Sequence, residues 1–195
     1  MQFDPIQVTV KVTAVLESLG VPYLIGGSLA STLHGMIRTT QDSDLVAELQ
    51  PEHVHSFIQA LQDEFYIDDE MILDAVVRRS RFNIIHRESM FKVDVFIPRQ
   101  RHFEKMQFSR ARRETLSKEP EAQAFVATAE DTLLAKLEWY RLGGEGSERQ
   151  WRDVLGVLKV QAGALDLDYL RRMANELHVE DLLERALFEA ASALS

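Results

Sequence analysis

The amino-acid sequence predicts an α+β fold, with strands and helices mixed in the first two thirds and a packed helical bundle in the last third. Three observations carry this reading. Short apolar segments with a two-residue period recur up to Ile97; in FKVDVFIP, Val93, Val95 and Ile97 alternate with Lys92, Asp94 and Phe96. Three helix-period patterns then succeed one another over 148–161, 166–178 and 180–194. Between the two regimes lies GGEGSE, the clearest flexible joint in the chain.

The elements follow in order. Residues 5–19 read as a helix with Pro5 in its first turn, Gly20 just past its end, and an apolar stripe of Val8, Val12, Val15, Leu16 and Leu19. A strand over 21–25 runs into Gly26-Gly27-Ser28, and a short helix over 28–34 stops at Gly35. Residues 43–49 form a second strand, and Pro51 opens a helix to about Phe65. A helix over 70–79 precedes RFNIIH and FKVDVFIP, two strands joined hairpin-fashion through Arg87–Met90. Residues 99–127 read as irregular, with room for short elements. Thr128-Ala129-Glu130-Asp131 resembles a capping box and opens a helix to Leu142. The expected division is 1–127 and 128–195, with linkers too short for independent domains.

A chain of 195 residues with 46% hydrophobic content can build a sizeable core. The absence of cysteine excludes disulfides, thiolate metal sites and cysteine nucleophiles. The opening MQFDPIQVTV has no basic region before an apolar run, and no apolar stretch reaches the ~18 residues of a membrane span, so a cytoplasmic location is expected. A net charge of −9 argues against indiscriminate nucleic-acid binding, but the charge is uneven: −10 over residues 1–77, +8 over 78–113 and −7 over 114–195. The basic middle could gather polyphosphate or an RNA backbone; equally, it could be a solvated surface that balances acidic neighbours.

The chemistry concentrates in YLIGGSLASTLHGMIRTTQDSDLVAEL, residues 23–49. Paired glycines let backbone N–H groups approach a phosphate, and the start of the next helix adds a favourable dipole. Asp42 and Asp44, two apart on a strand, point to one face. Asp94 is the best third acid, because an ionised group between Val93 and Val95 requires a partner or a metal. Lys92 shares its face and could orient it or meet a phosphate. Converging carboxylates suit divalent ions that flank an in-line phosphoryl displacement. In the helical half, Asp153 lies on a helix face with Val157 and Val160, opposite Trp151, Val154, Leu155 and Leu158; an acid on so apolar a helix requires a partner. Lys136 either forms a buried ion pair with it or reaches a triphosphate.

GGSLASTLHGMIRTTQDSDL together with FKVDVFI resembles the DNA polymerase β-type nucleotidyltransferase superfamily. AEDTLLAKLEWY and Trp151-Arg152-Asp153 are similar to the helical motifs of its AbiEii-type group of bacterial nucleotidyltransferases and toxins. The likeness covers about residues 20–160, with Ala129 where that group usually has proline. It implies a mixed nucleotidyltransferase sheet flanked by helices, with 1–127 as catalytic core and 128–195 completing the cleft. It further implies that Gly26, Gly27 and Ser28 hold phosphates, that Asp42 and Asp44 carry Mg²⁺ or Mn²⁺, and that Asp94 is base or third metal ligand. Lys136 and Asp153 then complete the site.

Arg38, between the glycine turn and the two acids, either contacts phosphate or pairs with a local acid. His34 reads as a structural contact, and His53, His55, His86, His102 and His178 show no metal spacing. Trp139 and Tyr140 read as core. The expected function is Mg²⁺-dependent transfer of NMP from an NTP to a hydroxyl. An RNA or tRNA end is one acceptor, with a toxin role and an antitoxin-like protein partner. The alternatives are a small-molecule, antibiotic-type acceptor, or an inactive NTP-binding module acting through a partner.

Overall fold

The structure is a computed structural model and describes residues 4–35, 42–118 and 121–192. The chain divides into two compact units: Met1–Gly26 with Thr39–Val126, and Gly27–Arg38 with Ala127–Ser195. The sequence reading drew a single line after residue 127. Instead, the segment that begins at Gly27 groups with the C-terminal helices.

The first unit holds α1 (Pro5–Ser18), β1 (Tyr23–Ile25), β2 (Asp42–Ala47), α3 (Pro51–Leu61), β3 (Phe65–Tyr66), α4 (Asp69–Arg78), β4 (Arg81–His86), β5 (Lys92–Phe96), α5 (His102–Arg110), β6 (Arg112–Lys118) and β7 (Glu121–Val126). The second holds α2 (Gly27–His34), α6 (Ala129–Leu142), α7 (Glu148–Val160), α8 (Leu167–Glu176) and α9 (Glu180–Ser192).

In the first unit the described strands form one mixed sheet in the order β3-β4-β5-β2-β1-β7-β6. β2 runs parallel to β5 and β1 parallel to β7; the other neighbours are antiparallel. α1 is capped by Asp4, whose side chain accepts from the Ile6 N–H. It buries Val8, Val12 and Leu16 as expected, with Thr9 and Thr13 beside them, and packs on β2, β7 and α3. The predicted irregular stretch 99–127 is the main correction: it contains α5 and the β6–β7 hairpin. Its signal was faint because β7 buries the small Ala122 and Ala124 with Val126 and leaves the aromatic Phe125 exposed, and β6 is a polar edge strand.

In the second unit, Thr128 caps α6 as predicted, accepting from the Asp131 N–H at 3.2 Å. Asp131 is fully buried, and its carboxylate also accepts from the Tyr169 hydroxyl at 2.6 Å, which ties α6 to α8. Tyr140 stacks on Trp151 at 5.2 Å. One expectation fails: Trp139 is 48% exposed and does not belong to the core. Among the described residues no helix is long and apolar enough to cross a membrane.

Candidate functional site

The carboxylates sit in the centre of the sheet. The parallel register of β2 and β5 sets Asp42 opposite Lys92 and Asp44 opposite Asp94. Ser43, Leu45, Val93 and Val95 are fully buried on one face, so the two-residue period places all four charged residues on the other. The acids expected to act together therefore share one face of two neighbouring strands. Gly26 is bound to the same strand: its N–H donates to the Asp44 carbonyl at 2.9 Å. In this structure that N–H is engaged with the sheet.

Asp94 is buried, and the Lys92 ammonium donates to its Oδ2 at 2.7 Å. This hydrogen bond holds Lys92 above the usual lysine range against the opposing cost of burial, helped by the charges of Asp94, Asp42 and Asp44. Lys92 thus answers to all three acids. Asn83 of β4 lies opposite Asp94 in the antiparallel register and shares its face. Sequence reasoning passed over Asn83, because RFNIIH gains meaning only once β4 is paired with β5.

Carboxylate oxygens on one face are hard donors that suit Mg²⁺ or Mn²⁺. Among the described residues, however, no three His, Cys, Asp or Glu side chains form a group that could already hold a metal ion. The expected three-acid site exists as a shared face, with Lys92 as its present counter-charge, and not as a closed coordination set.

The phosphate-type residues belong to the second unit. Gly27 opens α2 with φ +52°, a left-handed conformation that favours glycine. Ser28 is buried, and its Oγ accepts from an Arg149 guanidinium N–H at 3.4 Å. α2 packs on α6 and α7. At its far end the His34 ring Nε2–H donates to the Ala127 carbonyl at 2.7 Å, and the Gln161 amide donates to the His34 carbonyl at 2.8 Å. His34 is thus the structural contact expected. At Gly35 a Cβ would meet the Ser31 carbonyl oxygen at 2.8 Å and the Val157 nitrogen at 3.0 Å, so glycine is what lets α2 close on α7. Lys136 donates to Asp153 Oδ2 at 2.8 Å, with both side chains about nine-tenths buried. The suggested partnership exists. Arg38 lies outside the described residues.

Part of the basic middle is engaged locally. Arg78 pairs with Asp74, Arg79 donates to the Pro98 carbonyl, and Arg87 to the Phe65 carbonyl. Arg101 pairs with Glu104, and Arg113 with Glu17 while lying over the Phe125 ring. Arg78, Arg101 and Arg113 are thus balanced by carboxylates, as the charge-balancing reading expects for part of the segment.

No family model matches the chain, and no curated protein matches it in sequence. Solved structures do share its fold. An antigenic nucleotidyltransferase-like protein from Paracoccidioides brasiliensis aligns with a TM-score of 0.56 at 18% identity, over 96% of this chain and 94% of that one. The fold is nucleotidyltransferase-like. The antibiotic-resistance factor ANT(2'')-Ia aligns at 0.56 and 14% identity, over 94% of this chain and 97% of that one. The lincosamide antibiotic adenylyltransferase LnuA, in its lincomycin-bound form, aligns at 0.51 and 16%, over 79% and 96%.

Proposed function

We propose that the chain is a nucleotidyltransferase that moves an NMP group from an NTP to a hydroxyl acceptor and requires Mg²⁺ or Mn²⁺. The observation that carries this reading is the register of β2 and β5, which aligns Asp42, Asp44 and Asp94 on one face. Asp42 and Asp44 would hold the metal. Bound there, the ion supplies charge neutralisation at the phosphates and lowers the pKa of the acceptor hydroxyl. The acceptor oxygen bonds to the α-phosphorus, the P–O bond to the β-phosphate breaks, pyrophosphate leaves, and Asp94 takes the acceptor proton. Lys92 orients Asp94. Gly27, Ser28 and Lys136 hold the β- and γ-phosphates, with Asp153 fixing the Lys136 side chain. Arg38 is an additional phosphate contact in this proposal.

The helical motifs resemble the AbiEii-type group, and on that likeness the acceptor is an RNA or tRNA end and the protein a cytoplasmic toxin held by an antitoxin-like protein. A second reading has a small-molecule acceptor. It is favoured by the fold shared with ANT(2'')-Ia and LnuA and by the local pairing of the basic segment.

The test offers the protein each α-labelled NTP with Mg²⁺ and either total RNA or a panel of aminoglycosides and lincosamides, with products read by mass spectrometry. Label on one class selects the acceptor. Asp42→Asn and Asp44→Asn should each reduce transfer at least about a hundredfold, because phosphate charge loses its compensation. Full activity in either variant overturns the assignment. NTP binding without transfer to any acceptor supports an inactive binding module.

A further inference from the structure

The phosphate-holding set proposed above has a charge deficit. Beside Arg38, which lies outside the described residues, Lys136 is the cation within it, and it is already paired with Asp153 at 2.8 Å. Ser28 is neutral. A triphosphate tail carries several negative charges, and Arg38 with a Lys136 already paired to Asp153 compensates only part of them.

Arg149 corrects the deficit. It stands in the first turn of α7, four residues before Asp153, so the two project from the same side of that helix. Its guanidinium reaches Ser28 Oγ at 3.4 Å, a long bond to a neutral hydroxyl that uses one of five N–H donors. Among the described residues no carboxylate pairs with it. In the same segment, of net charge −7, Arg141 pairs with Asp181, Arg171 with Glu184 and Arg185 with Glu189. The direction of α2 agrees: Ser28 meets Arg149 near the start of α7 and Gly35 meets Val157 near its end, so the two helices run the same way. Their N-termini, each the positive end of a helix dipole, lie together beside the guanidinium.

We propose that Arg149 adds positive charge to this set and clamps the terminal phosphates of the NTP, its guanidinium passing from Ser28 Oγ to phosphate oxygens. The planar fork of arginine grips phosphate with paired hydrogen bonds, which a lysine cannot reproduce. This inference rests on the nucleotidyltransferase reading and assigns a residue that the sequence motifs did not mark.

Calorimetric titration of the full chain with each NTP and its matching NMP, in Mg²⁺ and without acceptor, tests it. Arg149→Ala should weaken binding of the favoured NTP by about tenfold to a hundredfold and leave the NMP affinity unchanged. Arg149→Lys, which keeps the charge and loses the fork, should fall between. Arg149 is exposed, so both variants should unfold at the wild-type temperature, and Arg149→Lys alone suffices if the alanine variant does not. Wild-type preference for NTP over NMP that survives Arg149→Ala overturns the inference and leaves the nucleotidyltransferase reading intact. Equal weakening of NTP and NMP also overturns it. A wild-type protein that binds no NTP overturns the reading and this inference with it.

Discussion

Asp94 shows how much one residue's role depends on its neighbours. Its burial between Val93 and Val95 demands a counter-charge, and Lys92 provides it two residues away on the same face. Tyr23 is a second such residue. Its hydroxyl donates to Glu17 at 2.7 Å and accepts from the Phe125 N–H at 3.3 Å, and its ring meets Phe125 edge-on. Burial first, and the Glu17 carboxylate second, push the phenol up to about 12 from an ordinary value of 10.0. The unfolded chain releases this proton near pH 10 while the folded chain keeps it, so between pH 10 and about 12 the native state binds more protons and stability falls as pH rises. The loss at the top of that window is on the order of 2 kcal/mol. Tyr23→Phe should cost about 1 kcal/mol at neutral pH and flatten the alkaline limb in chemical denaturation series. An unchanged slope above pH 10 would remove Tyr23 from this account.

At the scale of elements, the packing of α2, α6 and α7 is held by named contacts. His34, Gly35 and Gln161 secure the end of α2, and Lys136–Asp153 links α6 to α7. Because that ion pair is largely buried, Lys136→Met should destabilise by about 3 kcal/mol by leaving Asp153 uncompensated. Adding Asp153→Asn should recover most of the loss. Thermal unfolding and NMP transfer, measured on both variants, separate two roles. A stable but inactive double variant places Lys136 on the phosphates; a stable and active one makes the pair structural. Element boundaries were mostly legible from sequence because caps and punctuation are local, as Thr128 and Gly35 show. α5, β6 and β7 were not legible: their burial depends on partners distant in sequence, and β3 is two residues long.

At the scale of the whole molecule, charge is the organising quantity. Residues 1–77 carry net −10, and the acids of β2 lie within them, balanced in this structure by Lys92 from the basic segment. Since Lys92 already neutralises part of that face, a divalent ion should be needed for chemistry and not for folding. Chelation with EDTA should abolish NMP transfer while lowering the thermal midpoint by no more than about 5 °C. Unfolding on chelation would instead make the metal structural.

By itself, the sequence determined the fold class and the glycine turn, and it marked Asp42, Asp44, Asp94, Lys136 and Asp153 as candidates, because strand period, helix period and glycine conformation are local properties of the chain. Only the tertiary structure decided that Asp44 stands opposite Asp94, that Gly26 spends its N–H on the sheet, that Lys136 is neutralised by Asp153, and that Arg149 reaches Ser28. Those facts depend on strand register and helix packing between residues up to 121 positions apart, which no local pattern encodes.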